Sequence, residues 1–81
     1  MVTSEPGKVV RARNAEALGR ALREARQRAG MTQSDLAERT LATRQSIAAL
    51  EAGHQARTLE ILFDALAVLG LELTIRSRQE G

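Results

Sequence analysis

The apolar positions of the chain fall into four helical stripes followed by one alternating segment. From Asn14, a good N-cap, the residues Ala15, Leu18, Leu22, Ala25 and Ala29 recur at spacings of three and four until Gly30, which predicts a helix with one core-facing side. Its other side, with Arg20, Arg23, Glu24, Gln27 and Arg28, reads as a solvated face. Thr32-Gln-Ser-Asp35 has the form of a capping box, in which the hydroxyl takes one orphan amide and the acid reaches back. A short second helix is predicted from there, with Leu36 and Ala37 inward, fading near Thr40. Thr43 caps a third helix, roughly Arg44 to Ala52, that buries Ile47 and Leu50 and ends at Gly53. Thr58 is expected to cap a fourth, on which Leu59, Leu62, Phe63, Leu66 and Leu69 form a strong apolar stripe up to Gly70.

The tail changes period. Leu71, Leu73 and Ile75 alternate with Glu72, Thr74 and Arg76, the two-residue repeat of a strand with one buried face. No other segment reads as a strand, and a lone strand leaves unpaired amides and carbonyls on both edges. The simplest partner is the same strand of a second copy, so Leu71, Leu73 and Ile75 are candidate dimerisation residues of a twofold homodimer. Residues 1–13 hold the only proline, Pro6, and end in the basic positions Lys8, Arg11 and Arg13, which reads as a flexible basic arm. The expected division is an arm at 1–13, a helical domain at 14–70, and a dimerisation strand and tail at 71–81. The fold class is an all-α bundle of four to five helices with one short C-terminal β-strand.

Composition narrows the chemistry. With 81 residues there is room for one small domain, and 43% apolar against 27% charged residues suits a folded one. There is no cysteine, so neither a disulfide nor a thiolate zinc site staples this small core. His54, the single histidine, has no second histidine or cysteine to share a metal, and no cofactor is expected. An enzyme would need a nucleophile beside a base, or paired carboxylates in a pocket, and neither pattern is present. No apolar run approaches the ~20 residues of a membrane span, so a cytoplasmic protein is expected. Charge is uneven: residues 1–44 carry nine Lys or Arg against five acids, and residues 45–81 three against five. A basic half favours a polyanion on one face.

Two short helices joined by a tight turn can present the second to the major groove of DNA. Close crossing needs a small residue on the first helix, here Ala37, and apolar locks beyond the turn, here Ala42, Ile47 and Leu50. The run Gly30-Met-Thr-Gln-Ser-Asp-Leu-Ala-Glu38, followed by Thr43-Arg-Gln-Ser-Ile47 and Leu50-Glu-Ala-Gly53, resembles the Xre, lambda-repressor and Cro class of helix-turn-helix DNA-binding domains over roughly residues 14–70. Three positions depart from that pattern. Leu41 stands where the family usually has glycine in the turn, Thr40 replaces an apolar residue, and Arg57 stands where proline is common. A left-handed backbone at Leu41 would cost ~1 kcal/mol.

The resemblance implies that the third helix enters the major groove with Arg44, Gln45, Ser46 and Ala49 as candidate base contacts. Arginine pairs with guanine, glutamine with adenine, and an alanine methyl meets that of thymine. Thr32, Gln33 and Thr43 open helices whose free amides favour a phosphate, and Arg28 and Arg57 are further candidate phosphate contacts. Glu51 is expected to hold a structural hydrogen bond or ion pair, and Phe63 to lie in the core. A four-helix domain of this class followed by a short strand is similar to HipB-type antitoxins. That resemblance implies a homodimeric repressor on a palindromic operator in double-stranded DNA, with a HipA-type kinase toxin as partner and the pair repressing their own operon. The alternatives are an Xre regulator with no toxin partner and a protein-interaction module that does not read DNA by itself.

Overall fold

Six elements follow one another along the residues that the computed structural model describes, 9–54 and 57–78. They are β1 (Val9–Ala12), α1 (Ala15–Arg28), α2 (Gln33–Thr40), α3 (Arg44–Glu51), α4 (Arg57–Val68) and β2 (Leu73–Arg76). The first three helices begin where their caps predict. The Asn14 side chain accepts a 2.8 Å hydrogen bond from the Ala17 amide. Thr32 Oγ1 accepts from the Asp35 amide at 3.0 Å while the Thr32 amide donates to Asp35 Oδ2 at 2.9 Å. Thr43 Oγ1 accepts from the Ser46 amide at 3.0 Å. α4 differs: it starts at Arg57, so Thr58 is its second residue rather than its cap.

All four helices end alike, with a left-handed residue followed by an amide that reaches back five positions: Met31 to Arg26, Ala42 to Ala37, His54 to Ala49 and Leu71 to Leu66. Glycine supplies the left-handed residue three times, at Gly30, Gly53 and Gly70; Leu41, with φ of 57°, supplies it once. The turn between α2 and α3 thus keeps the glycine geometry without the glycine.

β1 is the principal correction to the sequence reading. Residues 9–12 form an antiparallel ladder with β2, in the register Val9↔Arg76 to Ala12↔Leu73, and Arg11 lies 3.6 Å from Glu72. The strand of the tail is therefore not alone, and the argument that an unpaired strand demands a second copy does not hold. Leu73 and Ile75 are half-buried on one face of this sheet and Leu71 is exposed. Of the expected basic arm, Arg11 lies in β1, Arg13 follows it, and Lys8 falls outside the described residues.

Burial concentrates where α1, α2 and α3 meet, at Ala15, Ala21, Ala37 and Ile47, with Ala12 of β1. Gly19 brings α1 onto α3 so closely that a Cβ there would lie 2.4 Å from the Leu50 carbonyl oxygen. Ala37 and Ile47 are buried as expected; Ala25, Ala29, Ala42 and Leu50 are exposed. α4 buries no residue fully, and Phe63 is half-buried on its inner side. No helix among the described residues is long and apolar enough to cross a membrane.

Candidate nucleic-acid interface

Four side chains from three helices form one connected set of hydrogen bonds. Arg26 of α1 holds Glu51, the last residue of α3, in a two-pronged ion pair, Nε to Oε2 at 2.6 Å and Nη2 to Oε1 at 3.0 Å. The two side chains are 10% and 4% exposed. Arg26 Nη1 also donates to the Met31 carbonyl at 2.8 Å, which fixes the loop leading into α2. The first residue of α2 then joins: Gln33 Nε2 donates to Glu51 Oε1 at 3.0 Å, and Gln33 Oε1 accepts from Arg44 Nη1 at 2.8 Å. A buried pair is stable only when its remaining lone pairs are also satisfied, and every polar side-chain atom buried among the described residues has a partner.

The electrostatics follow from these contacts. Hydrogen bonds from Arg26 lower the Glu51 pKa, against the opposing effect of burial, with help from the Gln33 amide and the charges of Arg26 and Arg23. Arg26 is raised in return, first by its hydrogen bond to Glu51. Asp35 is lowered by the Thr32 amide and hydroxyl of the capping box. The expectation that Glu51 is structural is met. Its partner was hidden, although Arg26 falls four residues after Leu22 on the inward stripe of α1, where a charge needs an explanation.

The set forms the wall of an open groove of about 580 Å³ between α1, α2 and α3, lined by Arg23, Thr32, Gln33, Arg44, Ala48 and Glu51 among others. Arg44, Gln45 and Ser46 stand exposed at the start of α3 and Ala49 is half-buried one turn on. Ser46 Oγ lies 2.9 Å from Thr43 Oγ1, so this hydroxyl is turned toward the cap. The capping box at Thr32 and the N-cap at Thr43 engage some of the orphan amides of each first turn; the remainder, such as those of Gln33 and Ser34, are the kind that take a phosphate oxygen.

Of the sequence candidates for DNA contact, Thr32, Gln33 and Arg44 line the groove. Thr43, Gln45, Ser46 and Ala49 lie at the start of α3 or along it, outside that lining; Arg28 ends α1, also outside it, and Arg57 sits on α4, 3.3 Å from Glu60. Arg23 is exposed, as the solvated-face reading expected, and also lines the groove.

Set against known proteins, the chain matches the model of the helix-turn-helix family HTH_3 over residues 22–75, which takes in α2, α3, α4 and most of β2. No curated protein and no solved structure matches it.

Proposed function

The chain belongs to the HTH_3 helix-turn-helix family of DNA-binding transcription regulators, and from that membership we propose that it is a sequence-specific repressor that binds a palindromic operator as a homodimer. The observation that carries this reading is the bond from Arg44 to Gln33. A guanidinium at the exposed start of the recognition helix is held by a carboxamide anchored on a buried ion pair. A side chain fixed before it meets DNA loses less freedom on binding, which favours a forked contact to guanine worth ~1 to 3 kcal/mol of discrimination. Gln45 and Ala49 complete the candidate base contacts, with Ser46 released from Thr43 on docking. Thr32, Gln33 and Thr43 position the backbone, and Arg23 joins them.

The further role is that of an antitoxin in a HipBA-type pair, supported by the succession of four helices and a short strand. Two experiments test the reading. DNA affinity measured from ~50 to 200 mM salt falls by orders of magnitude if six or more phosphates are neutralised; a flat response leaves a protein-interaction module. Co-expression with the product of the adjacent reading frame restores growth if that product is a toxin held by this chain; growth arrest that the chain does not relieve removes the antitoxin role.

A further inference from the structure

α4 is apolar on two sides. Leu59, Phe63 and Leu66 are half-buried against the rest of the chain. A second stripe, Ile61, Leu62, Ala65, Val68 and Leu69, points away from it: the four large side chains are 50%, 44%, 85% and 68% exposed, and Ala65 is exposed as well. The only acids on the helix, Glu60 and Asp64, lie off this stripe at 100° per residue. Leu69 continues the helical hydrogen bonding through its amide to the Ala65 carbonyl at 3.0 Å.

The stripe is symmetric about its middle. Ile61 and Leu69 stand four residues either side of Ala65, and Leu62 and Val68 three. In a twofold contact residue i of one copy meets j of the other and j meets i. An antiparallel crossing centred on Ala65 meets that condition: Ile61 of each copy faces Leu69 of the other, Leu62 faces Val68, and the two small alanines allow close approach at the axis. We infer that this outer face of α4 is covered by a second copy of the chain, with the twofold axis passing beside Ala65.

The stripe leaves roughly 400 Å² of apolar surface per copy in water, the size at which the largest patch on a monomer tends to be functional and about half of what each partner gives to a standard interface. Dimerisation is therefore weak in free solution and strengthened where two half-sites hold both copies on one duplex. The inference rests on the dimeric reading above and gives it a surface, in place of the strand edge.

The absence of cysteine makes the test clean. In Ala65→Cys the two thiols meet at the axis, at the ~3.8 Å Cβ separation a disulfide needs. Under mild oxidation this variant forms covalent dimer at least about tenfold faster than Glu60→Cys, whose thiol lies off the stripe, because the contact raises the local thiol concentration. Equal rates for the two variants overturn the inference. Fastest cross-linking by Thr74→Cys does so too, in favour of strand pairing. Val68→Asp, at an exposed position, keeps the fold and raises at least about tenfold the protein concentration at which dimer sediments; an unchanged dimerisation constant is contradictory. Operator binding without Ala65 cross-linking removes this interface and leaves the DNA reading, whereas cross-linking without DNA binding does the reverse.

Discussion

Arg44 donates to the side-chain oxygen of Gln33 at 2.8 Å, across the turn that separates the two helices of the motif. The bond couples a candidate base-reading group on α3 to a candidate phosphate-contact residue on α2, so the two positions should act on DNA as a unit. In a double-mutant cycle, Arg44→Ala and Gln33→Ala each weaken binding to a selected operator, and the double variant loses less than the sum, with a coupling of about 1 kcal/mol. Quantitative band-shift or anisotropy titrations check this. Additive losses mean that Gln33 does not position Arg44.

Glu51 is the point on which α1, α2 and α3 converge. Removing it leaves Arg26 without its partner, and breaking a buried pair costs far more than an exposed one contributes. Glu51→Ala is expected to lower Tm by about 10 °C or more, and a fall of a degree or two would mean that solvent reaches the pair.

Acid should reveal the same contact. The Glu51 and Asp35 pKa values are lowered in the folded chain. Folded carboxylates held below their unfolded values bind fewer protons than the unfolded chain, so their stabilisation is complete above the ordinary carboxylate range near ~4 and is lost as pH falls from there through their lowered folded values. Denaturant unfolding between pH 7 and 3 is expected to show a plateau and then a decline, shallower in Glu51→Gln. Equal slopes in both proteins would place the acid sensitivity elsewhere.

Gly19 is required by the approach of α1 to α3. Gly19→Ala gains helix propensity, but the new methyl meets backbone carbonyl oxygens of Leu50 and Glu51 at 2.4 and 2.6 Å. Overpacking of this kind costs ~1 to 3 kcal/mol. A stabilised Gly19→Ala protein, measured by denaturant titration, contradicts this packing.

Leu41 gives the opposite expectation. It is 95% exposed, so its side chain packs against nothing, while its left-handed backbone costs ~1 to 2 kcal/mol that glycine does not incur. Leu41→Gly is expected to raise stability by up to about 1 kcal/mol after the added entropy of the unfolded chain. Loss of stability would show that Leu41 makes a contact worth more than its strain.

What was legible in the sequence was local. Asn14, Thr32 with Asp35, and Thr43 announce three helix starts because a cap bonds residues only three positions away, whereas the left-handed turn at Leu41 was pointed to only by the family resemblance, which puts glycine there. β1 was not legible: Val9-Val10-Arg11-Ala12 has no alternation, and its strand character comes from the ladder with residues more than sixty positions on. The Arg26–Glu51 pair, 25 residues apart, has the same non-local origin, as does the pressure on Gly19. On α4 the inner stripe was read only in part, because Leu62 and Leu69 belong to the outer one. Within the candidate site, Arg44, Gln45 and Ser46 are exposed at the start of α3 as expected, Ala49 is half-buried, and Leu50, expected inward, is exposed; the place of Arg23 in the groove was not legible because a groove is a property of three packed helices.

The most direct test of the central claim is selection of binding sites from random duplex DNA by the purified chain. An enriched palindrome with half-sites about one helical turn apart is expected, together with loss of the preference at one symmetric base position in Arg44→Ala. No enrichment at low salt, or enrichment that Arg44→Ala leaves intact, would contradict the claim.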